Sequence, residues 1–143
     1  MRSFITTTEA ETIASGRELG RSLAPGTTVL LYGELGAGKT AFVRGLVEGL
    51  GLDPEQVSSP TFTIVQEYRG REITLQHVDL YRLNPVEVTD IALEDLAGDR
   101  TIVAIEWADR LPRPPGGLVV RVELAHVAEG RQITTRSDAI API

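Results

Sequence analysis

Apolar positions recur along this chain in three rhythms, and each predicts a different element. Unbroken branched runs in TTVLLY (27–32) and TIVAI (101–105) read as short strands buried on both faces, the second ending on Glu106 and Trp107. Alternation of apolar and polar residues in TFTIVQEY and EITLQHVDL, joined by RGR (69–71), predicts a hairpin. A second hairpin is predicted from LVVRVEL and RQITTRS around Glu129 and Gly130. Helical spacing appears twice. Thr8, three residues before Glu11, has capping-box spacing and starts a helix carrying Ile13, Leu19 and Leu23 until Pro25 and Gly26 break it. Phe42, Val43, Leu46, Val47 and Leu50 mark the other helix, with Gly51 as its stop.

Between these elements DPEQVSSP (53–60) reads as a loop, and RLPRPPGG (110–117) as an exposed linker. Asn84 and Pro85 open a short helical region that ends near Gly98. Helices interleaved with both kinds of strand predict an α/β fold with a mixed parallel and antiparallel sheet flanked by helices. The expected organisation is a single domain over residues 1–143, with a disordered tail after about residue 136.

The strand at 27–32 leads into GELGAGKT (33–40), which matches G-x-x-x-x-G-K-[ST] and runs into the second helix. In such a loop the glycines let successive backbone N–H groups turn toward phosphate oxygens. Lys39 supplies a point charge for the β and γ phosphates, Thr40 offers a hydroxyl to Mg²⁺, and the helix N-terminus favours the anion. From average residue usage, the four fixed positions co-occur by chance in on the order of one such chain in a few hundred. With the strand and helix on either side as well, the motif reads as a nucleoside triphosphate site rather than a glycine-rich turn.

Magnesium at such a site takes a second protein group, ordinarily an acid at the end of a neighbouring strand. Two are available. Glu106 ends a run that reads as fully buried, which matches a central strand beside the phosphate loop and favours it as the metal ligand. Asp79 ends the half-polar ITLQHVD and is assigned a nearby role, through a metal-bound water or by orienting the attacking water. For each, the alternative is a solvated strand end. Thr61, in SSPTF (58–62), has a hydroxyl suited to metal, phosphate or water, in a region that can close over a γ-phosphate; an ordinary serine-stabilised turn is the alternative. Trp107, the only tryptophan, fits a partner anchor or a core cap equally well. His77 is expected to pack within its hairpin, and neither it nor His126 has companions at zinc-ligand spacing.

Composition narrows the classes. The chain has 14 basic and 20 acidic residues, a net charge of −6, so stand-alone binding to RNA or DNA is not expected. It has no cysteine, which removes disulfide, thiolate-metal and thiol-nucleophile chemistry. No apolar run approaches the ~20 residues of a membrane span, and the N-terminus lacks a signal pattern, so a cytoplasmic location is expected.

YGELGAGKTAFVRGL, SSPTFTIVQEY, HVDLYRL and IEW, in this order and spacing, resemble the bacterial TsaE family, also called YjeE. The resemblance runs from about Thr8 to the final hairpin, and HVDLYRL and IEW carry it, since a generic phosphate-loop protein has no reason to contain both. It implies a Mg²⁺-dependent ATPase of tRNA threonylcarbamoyladenosine formation that works with the TsaD–TsaB pair and meets tRNA only through that complex. By the same resemblance Gly33, Glu34, Leu35, Gly36, Ala37, Gly38, Lys39, Thr40 and Ala41 hold the nucleotide, and Thr40 and Glu106 hold Mg²⁺. Lys39, Asp79, Thr61 and Glu106 serve catalysis, Trp107 lies beside the nucleotide, Thr8 and Thr12 border adenine, and Arg131 approaches the nucleotide. One position departs from the family pattern. Many members carry a second threonine after the lysine where this chain has Ala41, which implies weaker nucleotide binding and not inactivity.

Two other functions compete. A small-molecule kinase needs an acceptor pocket and a lid, for which 143 residues leave little room. A nucleotide switch that acts by binding alone would need no hydrolysis. N-K-x-D, the guanine-reading motif of GTPase switches, is absent, so adenine is the expected base.

Overall fold

The computed structural model describes residues 2–34, 36–53, 55, 65–81, 83–84, 86–87, 96, 98–112 and 115–140, the last three by backbone alone. Seven strands form one mixed sheet: β1 (Arg2–Thr6), β2 (Thr28–Tyr32), β3 (Val65–Arg69), β4 (Thr74–Asp79), β5 (Thr101–Glu106), β6 (Gly117–Val127) and β7 (Gly130–Ile140). Their order across the sheet is β1-β7-β6-β2-β5-β4-β3. The four central strands run parallel to one another, because β2 pairs in parallel with β5 and β6, and β4 with β5. Antiparallel pairs β3–β4, β6–β7 and β1–β7 complete the two sides. The predicted mixed sheet and both hairpins are present. The apolar run of β5 behaves as its sequence suggests: Ile102 and Ala104 enter the core on one face, Val103 and Ile105 the core on the other.

Helices α1 (Glu9–Ser22) and α2 (Lys39–Gly49) lie together over the first of those faces. Thr8 caps α1, its hydroxyl accepting from the Glu11 N–H, while Glu11 accepts in return from the N–H of Thr7 rather than of Thr8. The buried stripe of α1 is not the predicted Ile13, Leu19 and Leu23. It is Thr12, Gly16 and Gly20, four residues apart, and the larger residues are only partly buried. Bulk is excluded there because α2 comes too close. A Cβ on Gly16 would stand 2.1 Å from the Phe42 carbonyl oxygen, and one on Gly45 would stand 2.0 Å from that of Ile13. The two helices pack backbone to backbone, with Arg17 reaching across to Glu48 at 2.7 Å.

Two further differences from the sequence reading stand at the ends of the chain. Residues 2–6 form a strand that their mixed polarity does not announce, and its pairing with β7 sets Thr6 opposite Arg131. The stretch after Arg136, expected to be a disordered tail, continues β7, because Gly117 through Val120 of β6 supply ladder partners out to Ile140. The first part of TFTIVQEY, most of the helical region after Asn84, and Leu35 and Thr61 lie outside the described residues.

Gly45→Ala is expected to destabilise the protein strongly, since the clash is with backbone and not with a movable side chain. A cost of about 1–3 kcal/mol or more corresponds to a fall of roughly 5 °C or more in the unfolding midpoint, read by a thermal melt.

Candidate functional site

The loop between β2 and α2 turns on glycines in the left-handed region, with Gly36 at φ 77° and Gly38, the residue before α2, at φ 101°. A side chain at either position would be strained, so the glycines are a condition of the loop's shape. The described part of the loop opens on a cavity of about 540 Å³. It is lined by Gly36, Gly38, Lys39, Thr40 and Ala41 of the loop and α2, and by Asp79, Tyr81, Glu106 and Trp107 from the ends of β4 and β5. The rest of its wall is Thr6, Thr7, Thr8, Glu9, Thr12, Gly130 and Arg131. Sheet pairing builds that wall: β1 and β7 bring Thr6 to Arg131, the Thr6 and Thr12 hydroxyls meet at 2.8 Å, and Arg131 donates to the Gly36 carbonyl at 3.0 Å.

Most of the candidate residues therefore gather around one cavity. Gly33, Glu34 and Ala37 do not line it: Ala37 is buried in the core, Glu34 is exposed, and the Gly33 carbonyl is occupied by Lys39.

Glu106 and Asp79 are directly opposite one another at the carboxyl ends of β5 and β4, and Glu106 is also in register with Leu31 of β2. Their relative depth differs. Glu106 is 3% exposed, whereas Asp79 is half-buried and its Oδ1 accepts from the Tyr81 N–H. Burial raises the Asp79 pKa above its ordinary value, and the neighbouring Glu106 adds to this, against lowering by the Tyr81 N–H, His77 and Lys39. Beneath them the buried phenol of Tyr68 is pushed up to about 12, by burial first and by Glu106 second.

Two features of this wall were not read from the sequence. His77 is buried, as expected, but its Nε2 meets Glu106 Oε2 at 2.5 Å. Strand alternation carried the signal, since it puts His77 on the face that bears Asp79. Trp107 adopts a left-handed backbone (φ 59°, ψ 44°), the only described non-glycine residue with positive φ, and turns the chain as β5 ends. Lys39 Nζ lies 3.5 Å from the centre of the Trp107 indole while donating to the Gly33 carbonyl at 2.5 Å. The Tyr81 ring packs tilted against the indole at a 4.9 Å centroid separation. The indole packs against the second core, as a core cap would, and also lines the cavity. Desolvation lowers the Lys39 pKa, opposed by Glu106, Asp79 and Asp109.

Chemically the cavity combines an ammonium with the oxygen-bearing side chains of Thr40, Asp79 and Glu106. Thr40, Asp79 and Glu106 are hard oxygen ligands of the kind that suit Mg²⁺. Among the described residues no group of three acid, histidine or cysteine side chains could hold a metal unaided. Such a donor set fits an ion that retains phosphate oxygens as ligands.

Comparison with known proteins follows the same outline. The family model described as "Threonylcarbamoyl adenosine biosynthesis protein TsaE" matches residues 6–133. Proteins named tRNA threonylcarbamoyladenosine biosynthesis protein TsaE are among its relatives. That of Synechocystis sp. is 49% identical over 70% of this chain and 66% of its own length. That of Nostoc sp. is 44% identical over 83% and 75%, and that of Treponema pallidum 40% identical over 87% and 92%. The crystal structure of Bacillus subtilis YdiB superposes with a TM-score of 0.71 at 27% identity, covering 96% of this chain and 85% of that one.

Asp79 supplies a prediction about pH. Its folded pKa is raised, so its ionisation destabilises the fold as pH rises above the ordinary value of 3.8, and the penalty is absent below that value. Asp79→Asn keeps an acceptor for the Tyr81 N–H and removes the charge. In metal-free buffer it is expected to raise the unfolding midpoint near pH 7 and to leave it unchanged near pH 3, as read by thermal melts at both.

Proposed function

This chain belongs to the TsaE family of tRNA threonylcarbamoyladenosine biosynthesis, and we propose that it binds ATP with Mg²⁺ and hydrolyses the nucleotide in support of that modification. In this reading it works with the TsaD–TsaB complex during threonylcarbamoyl transfer to the adenosine beside the anticodon, and reaches tRNA only through them. One observation carries the nucleotide reading: Lys39 and Thr40 at the start of α2 line one cavity with Asp79 and Glu106, which are level on adjacent parallel strands.

The residues divide the work by chemistry. Gly36 and Gly38 turn the loop backbone toward the phosphates, and Lys39 leaves the Gly33 carbonyl to pair with the β and γ oxygens. Thr40 and Glu106 would hold magnesium, which would neutralise negative charge developing on the phosphates. Asp79, made more basic by burial, orients the attacking water and accepts its proton. Thr8, Thr12 and Arg131 form the wall that receives adenine and the sugar. Trp107 keeps one side of the phosphates dry. Thr61 completes the γ-phosphate side in this proposal.

No glutamine or arginine finger is evident in the motifs, so hydrolysis by the isolated protein is expected at roughly 10⁻⁴ to 10⁻² per second, rising when TsaD–TsaB is added. Glu106→Ala is expected to retain ATP binding in EDTA, to lose most of the gain that magnesium gives, and to lose hydrolysis by about a hundredfold or more. Turnover of the isolated protein at tens per second would refute the partner-dependent reading. Full tRNA modification by Glu106→Ala would refute the requirement for hydrolysis. Ala41 lines the cavity beside Thr40. Ala41→Thr is expected to tighten ATP binding by about fivefold, the worth of one added hydrogen bond of ~1 kcal/mol, as measured by calorimetric titration.

A further inference from the structure

One polar side chain, His77, is buried behind the cavity lining and contacts Glu106. His77 is 2% exposed and Glu106 3%. His77 sits opposite Ala104 in the β4–β5 ladder, one inward-facing position before the Asp79–Glu106 pair. Its ring therefore reaches up the sheet to the glutamate, and Nε2 meets Oε2 at 2.5 Å. A carboxylate offers only acceptors, so the imidazole N–H donates. The other ring nitrogen, Nδ1, is buried with no hydrogen-bond partner among the described residues. A core position that leaves one nitrogen unsatisfied is a poor choice for packing alone, since a leucine would fill similar space without an orphaned polar atom. The contact that distinguishes histidine from leucine here is the one to Glu106.

We propose that His77 is a positioning residue: by holding Oε2 it fixes the Glu106 carboxylate so that Oε1 is presented to the magnesium side of the cavity. A glutamate at the end of a strand otherwise has several rotamers, and a ligand that must adopt one of them binds its ion less well. Hydrogen bonds to ligating carboxylates orient them in this way at metal sites generally. The inference rests on the proposed role of Glu106 toward magnesium, and the test keeps the two apart.

The affinity for a non-hydrolysable ATP analogue is measured by calorimetric titration in EDTA and in saturating MgCl₂, for wild type, Glu106→Gln, His77→Leu, His77→Gln and His77→Asn, with a thermal melt for each. The ratio of the two affinities is the gain due to magnesium, for which couplings of ~5–150-fold are usual. His77→Leu is expected to keep the EDTA affinity and lose most of the gain. His77→Gln, whose amide reaches about as far as Nε2, is expected to recover most of it, and the shorter His77→Asn is not. A purely structural role would lower stability without separating the two affinities or distinguishing Gln from Asn. If His77→Leu keeps the full gain while Glu106→Gln loses it, the positioning role is overturned and the magnesium role of Glu106 stands. If Glu106→Gln keeps the full gain, both are overturned. Should His77→Leu fail to fold, Gln against Asn decides: a gain recovered only by Gln supports the role, and equal behaviour overturns it.

Discussion

The parallel register of β2, β5 and β4 is the constraint on which the rest of the structure depends. It sets Leu31, Glu106 and Asp79 along the same edge of the sheet, just where β2 passes into the glycine loop. Both faces of β5 are buried, so a slip of one residue would exchange its two apolar sets and turn Glu106 to the other face. The hydrophobic core thereby fixes the height and direction of a charged group. The chemistry at the cavity follows from packing further down the strands.

Electrostatics at the cavity are balanced closely. Two carboxylates face the place where an anionic nucleotide would lie, in a chain whose net charge is already −6. Lys39 alone does not offset them, and its own charge is disfavoured by burial. In the structure its ammonium is satisfied by the Gly33 carbonyl and the Trp107 ring. In the proposed reading, a triphosphate entering with a divalent cation would relieve both conditions at once, by giving the lysine an anionic partner and the acids a positive one. The strained backbone of Trp107 places the indole over that lysine. A left-handed aromatic residue costs of order 1–3 kcal/mol and persists only where its surroundings hold it.

Much of this was legible in the amino-acid sequence. The glycine loop, the buried run of β5, both hairpins and the Thr8 cap depend on local signals, namely motif spacing, two-residue alternation and a hydroxyl three residues before an acid. What was hidden depends on contacts between distant segments. Arg2 to Thr6 becomes a strand because β7 offers it an edge, and no local pattern demands it. Gly16 and Gly20 carry no apolar signal, and their burial depends on the backbone of α2 at Gly45 and Gly49, which approaches them closely. The sequence could rank Glu106 above Asp79 by burial, but not foresee that the two stand opposite each other. His77 reads as hairpin packing because Glu106, which its ring meets, is 29 positions away in sequence.

The central claim is that Lys39, Thr40, Asp79 and Glu106 together form a magnesium–nucleotide site. A crystal structure of the protein with a non-hydrolysable ATP analogue and Mg²⁺ tests it most directly. The account predicts Lys39 Nζ withdrawn from the Gly33 carbonyl onto the terminal phosphates, with Mg²⁺ between Thr40, Glu106 and phosphate oxygens. Nucleotide bound elsewhere, or Mg²⁺ bound without Glu106, would contradict it.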